Sequence, residues 1–199
     1  MARRAIVVAW LVVVVSAFGF AAELPSSYVY WSSARPLSWA DFCAAPPANV
    51  AQTNWVASPS LHLEWTASFS ATGARSAWTA QVTTLNVTNA MDTARSWVLA
   101  SRATPSTLHH EQLHFDLNEV YRRLLEMTLR PLTACAASPE VALQSLRDAL
   151  NSASVSILTR VEQAQAQFDR DTAHGTNLAA QAIWEERIAV ALVNPLLAP

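Results

Sequence analysis

Hydrophobic and polar positions along the chain change their period once, near Pro105. Before that point, Leu61, Leu63, Trp65, Ala67 and Phe69 alternate with His62, Glu64, Thr66 and Ser68, the period-two pattern of a half-buried strand. Trp78, Ala80 and Val82 repeat the alternation, and Leu85 and Val87 take it up one phase later. Ala71-Thr72-Gly73-Ala74 is the predicted hairpin turn between the two runs, and the apolar pieces Tyr28–Trp31 and Trp97–Leu99 predict further strands. After Pro105 the spacing becomes helical. Positions 110, 114, 117, 121, 124 and 128 share one face of a helix that Ser106 or Thr107 caps and Pro131 ends, near Arg130. Ser138-Pro139-Glu140 starts a second helix, with a capping serine, proline at the first helical position and a carboxylate in the first turn. That helix is expected to reach Phe168. Thr172–Asn177 interrupts the pattern, and a third helix follows over Leu178–Val193. The prediction is an α+β fold, with an N-terminal antiparallel sheet over residues 26–100 packed with C-terminal helices over residues 106–193.

The first residues read as an address rather than as part of the fold. Arg3 and Arg4 precede an apolar run from Ala5 to Phe20, and Gly19-Phe20-Ala21 offers small residues at a cleavage site. The run falls short of the roughly 20 apolar residues a membrane span needs, and polar sequence follows at once. Residues 1–21 are therefore expected to be a signal peptide, the protein to be exported to the periplasm or the medium, and no membrane span to remain. Cleavage after Ala21 leaves 178 residues and takes the formal charge from −2 to −4. Residues 22–199 suit one domain of the zinc-protease-like kind argued below. All basic residues are arginine and none form a stripe, which argues against nucleic acid as a partner. Cys43 and Cys135 allow a single pairing; export favours the disulfide, and two separate thiols are the alternative.

The candidate chemistry sits on the first predicted helix. His110-Glu111-Gln112-Leu113-His114 is an H-E-x-x-H sequence, whose histidines lie one turn apart and can face one metal ion. Glu111 then stands beside the metal as a general base for water. The extended metzincin pattern would need Gly at 117 and His at 120, where this chain has Leu117 and Val120. Glu126 lies about 18 Å farther along the same helix, so a third ligand must come from elsewhere. His174, beside Gly175 in the helix interruption, is the first candidate, with Glu185 or Glu186 on the third helix and Glu140 on the second behind it. Asp169 and Asp171 near His174 suit a carboxylate bonded to a ligand's outer nitrogen. His109 points about 100° away from His110 and is expected at the surface, as are His62 and Asp116.

Leu37-Ser38-Trp39-Ala40-Asp41-Phe42, Ser96-Trp97-Val98, His110–Asp116 and Thr172-Ala173-His174-Gly175 occur in an order that resembles a family of uncharacterised bacterial secreted proteins described as candidate zinc-dependent proteases. The resemblance runs from Leu37 to Trp184. It implies zinc held by His110 and His114, Glu111 as catalytic base and a functional His174. Where this family commonly has tyrosine before the aspartate, this chain has Phe168, so a phenol at that place is missing.

The expected function is that of an exported zinc metallopeptidase acting on a peptide or protein substrate, with metal ligands His110, His114 and His174 and the base Glu111. Tyr121 or an arginine is expected to assist the oxyanion. The alternatives are a non-catalytic zinc-binding envelope protein and a metal-free interaction module using its tryptophan-rich sheet.

Overall fold

A computed structural model describes residues 13–16, 27–50 and 55–199, the first of these as backbone only. The fold is α+β. Its strands are β1 (Val13–Ser16), β2 (Tyr28–Tyr30), β3 (Ala57–Ala74), β4 (Ala77–Val98) and β5 (Thr133–Ala136). Its helices are α1 (Pro105–Leu129), α2 (Pro139–Thr172) and α3 (Leu178–Val193). The sheet runs in the order β1-β3-β4-β2, with β5 also paired to β4, and the pairings of β1, β2 and β5 are antiparallel. The expected export signal and its cleavage point lie outside the described residues, apart from the backbone of Val13–Ser16. Among the described residues, no helix is long and apolar enough to cross a membrane.

The long hairpin departs from its prediction in two ways. Its turn is Arg75-Ser76, with Arg75 at φ 57°, one step beyond the predicted tetrapeptide. Gly73 is needed inside the strand instead, because a Cβ there would lie 2.2 Å from the Ala77 carbonyl oxygen. The second departure is that β4 is one strand, not several. It has 22 residues against 18 in β3, yet Leu99 N–H meets the Val56 carbonyl at 2.7 Å. β4 therefore carries extra residues relative to β3.

The helices follow their signals closely. Ser138 accepts from Val141 N–H at 3.3 Å and starts α2, and Asn177 accepts from Ala180 N–H at 3.2 Å and starts α3. The cap of α1 is Thr104, not Ser106 or Thr107. Thr104 and Thr107 each accept the other's backbone N–H, at 2.9 and 3.1 Å, and Pro105 takes the first helical position. β5 is a strand the sequence reading lacks; four residues between helices give too little alternation to detect.

The chain divides into two compact units. One holds residues 66–86 and 126–155 with β1, and Arg147 lies there over the ring of Phe69. The other holds residues 27–65, 87–125 and 156–199, of which 51–54 are not described. In this second unit Leu37, Phe42, Met91 and Phe115 form a buried cluster joining the N-terminal segment, β4 and α1. The Leu37–Phe42 segment is tied to α1 directly, since Leu37 N–H donates to Gln112 Oε1 at 2.7 Å. The expected disulfide does not form: Cys43 and Cys135 are exposed free thiols, bonded respectively to the Ala40 carbonyl and the Thr79 hydroxyl.

Candidate metal centre

Between Glu111 and Tyr121, α1 is buried on nearly every side, so its polar residues there all need partners. His110, Glu111 and His114 are 3%, 5% and 8% exposed. The far side of the site comes from α2 and α3. The Nδ1 of His114 lies 2.6 Å from Gln165 Oε1, and the Nδ1 of His110 lies 3.2 Å from Gln181 Oε1. Gln165 Nε2 donates to the His114 carbonyl at 3.0 Å, which turns its oxygen toward the ring. An amide oxygen only accepts, so a neutral ring facing it carries its proton on Nδ1 and presents Nε2 as a lone pair, whereas a protonated ring donates from Nε2 to Asp169.

The two Nε2 atoms converge. His110 Nε2 and His114 Nε2 stand 3.1 Å apart, and Asp169 Oδ1 is 3.2 and 3.1 Å from them. Without a metal, ring protons satisfy the contacts to the carboxylate; with both rings neutral and protonated at Nδ1, the same three atoms offer lone pairs to one cation. Two imidazoles and a carboxylate are also the donor types that zinc takes. The residues present therefore fit a metal ion. Phe168, fully buried, stacks on His110 with ring centroids 4.6 Å apart and meets His114 edge-on at 4.7 Å. Its role is to hold both rings, and a phenol is not required for that.

His174 reaches the same place through Asp169, its Nδ1 lying 3.2 Å from the shared Oδ1. The backbone that carries it is unusual: Ala173, His174 and Gly175 all have positive φ, at 48°, 53° and 80°. Gly175 passes so close to His110 that a Cβ would meet its Cγ at 3.0 Å. Thus the Thr-Ala-His-Gly segment ends α2 and packs its backbone on the first ligand candidate.

Electrostatics follow from this packing. Burial pushes Glu111 up to about 7, against the pull of a charged His114, and nearby Asp169 pushes the same way. Burial lowers His110 despite its bond to Asp169. At His114 burial again favours the neutral ring, but the bond to Asp169 and the charge of Glu111 outweigh it, and the net shift is upward. Burial would raise Asp169; hydrogen bonds from His110 and His114 reverse this and hold it well below the ordinary carboxylate range.

A cleft of about 440 Å³ opens onto the site, lined on one side by residues 55–59 and Leu61, and on the other by α1 and α2. His110, Glu111, His114, Asp169 and His174 all face it. Other candidates are placed elsewhere. Glu185 pairs with His109 at 3.1 Å on the surface, Glu186 lines a separate hollow, and Glu140 is exposed in the first turn of α2. Tyr121 is buried and its hydroxyl donates to the Pro199 carbonyl, so it does not line the cleft, and no arginine does among the described residues. Asp116 is not at the surface but partly buried, accepting from Trp31 Nε1 and Gln112 Nε2 at 2.7 Å each. His62 is half-buried against the ring of Tyr28.

The sequence reading had no place for Gln165 or Gln181 and gave Asp169 only an outer role. The available signal was Gln165 and Asp169 four residues apart beside the apolar stripe of α2, and Gln181 three residues before Trp184 on α3.

Residues 41–175 match a family model, and the chain belongs to that family, DUF922, described as bacterial proteins of unknown function. Neither a curated protein nor a solved structure matches the chain.

Proposed function

We propose that this member of DUF922 is an exported zinc-dependent hydrolase of peptide bonds, with His110, His114 and Asp169 holding the metal and Glu111 as general base. The observation that carries the reading is the meeting of two imidazole Nε2 atoms and Asp169 Oδ1, mutually within 3.2 Å, at the head of an open cleft. Bound there, zinc would supply Lewis acidity, polarising a carbonyl oxygen and acidifying water. The chain's own residues do the rest. Gln165 and Gln181 fix the tautomers and directions of the two imidazoles. Glu111, buried beside the two imidazoles and facing the cleft, is placed to accept a proton from water and return it to a leaving amine. Export rests on Arg3, Arg4 and the apolar run to Phe20.

A non-catalytic zinc clamp is the second reading, and His174 favours it: a fourth side chain stands at the shared oxygen and could close the coordination. One variant separates the two. Glu111→Gln should lower casein hydrolysis by about 10²–10⁴-fold with one zinc per chain retained. Undiminished hydrolysis in that variant would remove Glu111 as the base. A purified wild-type chain that holds zinc and hydrolyses nothing would favour the clamp.

A further inference from the structure

Of the 16 residues of α3, only Gln181, Glu185, Glu186 and Arg187 are polar. Gln181 is spent on His110 and Glu185 on His109, while Gln181, Trp184, Ile188 and Ala191 form the face turned into the fold. A second face is open. Ala179, Ile183, Glu186, Arg187 and Val190 are all exposed and follow the i, i+4, i+7, i+8, i+11 spacing of a helix-packing stripe. Ile183 and Val190 are 54% and 50% exposed, and Leu197, in the turn after α3, is 57% exposed. A hollow of about 400 Å³ lies at the middle of the stripe, lined by Glu186, Arg187, Val190, Leu197 and Pro199. Apolar residues exposed singly need no explanation, but a contiguous run beside a hollow marks a docking surface. The two charges on the stripe are unmatched. Among the described residues Glu186 makes no hydrogen bond or ion pair, and Arg187 has only the Trp184 ring, 5.8 Å from its guanidinium carbon. One acid beside one base does not suit a lipid surface, which selects helices rich in lysine and arginine. It suits a partner carrying the same two charges in reverse order, and an antiparallel copy of α3 is such a partner.

We propose that the protein pairs with a second copy of itself through α3, the two helices antiparallel about a two-fold axis that passes between Glu186 and Arg187. In such an isologous contact, residues equally far from the axis on either side meet. Glu186 of each copy faces Arg187 of the other, so the ion pair forms twice. Ile183 of each copy faces Val190 of the other and enters the hollow between Val190 and Leu197. A parallel pair would instead set Glu186 on Glu186 and Arg187 on Arg187, which like-charge repulsion disfavours. One helix pair is a small interface, so a Kd of about 10–100 µM is expected. Gln181 stays on His110 throughout, so the pairing owes nothing to the zinc-hydrolase reading and goes beyond it.

The test is sedimentation velocity of the full chain from about 1 µM to about 1 mM, a range that brackets the expected Kd. Glu186→Arg sets arginine against arginine, and Arg187→Glu sets glutamate against glutamate. The two-fold axis doubles each change, so either variant should weaken the dimer at least about 10-fold. The double variant, with both charges exchanged, should return to within about 3-fold of wild type. Ile183→Asp should remain monomeric throughout. All four replaced side chains are exposed, so zinc content, and Tm at about 1 µM, should match wild type. A wild-type chain that stays monomeric at the highest concentration overturns the proposal. Association that neither charge reversal weakens also overturns it, and points to the apolar run Ala5–Phe20 instead. Single reversals that weaken the dimer without rescue in the double variant overturn the antiparallel register. Wild-type chain that stays monomeric and co-sediments with vesicles of phosphatidylglycerol gives the stripe to lipid.

Discussion

Three times along α2 a glutamine stands four residues before an aspartate, and one of the three pairs behaves unlike the other two. Gln144 and Asp148, near the start, are exposed, and the amide donates to its own carboxylate at 2.9 Å. Gln167 and Asp171 do the same at 2.6 Å. Gln165 and Asp169 do not bond to each other: the amide serves His114, and the carboxylate takes His110, His114 and His174 on one oxygen. The apolar residues beside these pairs keep one spacing, Ala142, Leu143, Leu146 and Leu150 in the first half, and Ile157, Val161, Ala164 and Phe168 in the second. Helical periodicity therefore says where α2 is buried and nothing about which polar pair is chemical. What separates the pairs is the face they occupy: Gln165 and Asp169 project where two imidazoles of α1 wait.

The largest expected effect tests the apolar spacing alone. Leu146→Ala, at a site with no exposure, should cost about 2–5 kcal/mol of unfolding free energy and leave the zinc affinity of the folded protein unchanged. A large loss of zinc affinity in this variant would mean that the two halves of the helix are not separable in function. Next comes the comparison itself. Gln165→Ala should lower zinc affinity about 10–100-fold, or about 1.4–2.7 kcal/mol, because the His114 ring loses the partner that fixes its tautomer. Gln144→Ala, the same change in an exposed pair, should leave zinc affinity unaltered and shift stability by less than about 0.5 kcal/mol. Competition titration against a chromogenic chelator measures both. Equal effects would show that the two pairs differ only in appearance.

The fold was largely legible because its signals are local. Ser138-Pro139 and Asn177 announce helices through backbone groups a few residues away, and the alternation from Leu61 to Phe69 needs only the strand's own two faces. Half of the site was legible for the same reason, since His110 and His114 share a helix turn. The other half was not. Asp169 and Gln181 become partners of His110 only when helices 59 and 71 residues away pack on it, and no spacing rule reaches that far. His174 was singled out as third ligand; the structure places it against Asp169, on a left-handed run whose Gly175 passes close over His110. Asp116 was misread as exposed because its partners, Trp31 and Gln112, arrive from the sheet segment and from its own helix.

Asp41 supplies the smallest and most selective test, a buried carboxylate in the site's unit whose partners belong to its own loop. It accepts from Ser38 N–H at 2.8 Å, from the Ser38 hydroxyl at 3.0 Å and from Arg35 at 2.6 Å, closing the turn that carries Leu37 to Gln112. Burial alone would raise its pKa, but the Ser38 N–H, the Arg35 guanidinium and the Ser38 hydroxyl together hold it below the ordinary 3.8. A folded pKa below the unfolded one means that the charged form stabilises the fold. That contribution is complete when pH is well above 3.8, and it is lost as pH falls below 3.8 through the lower folded value. Asp41→Asn should therefore cost about 1 kcal/mol at pH 7 with zinc affinity unchanged, and the difference in Tm from wild type should shrink steadily between pH 5 and pH 3. A gap that stays constant over that range would show that the shape of the side chain holds the loop and its charge does not. A fall in zinc affinity would instead place Asp41 with Asp169, among carboxylates whose partners lie across the fold.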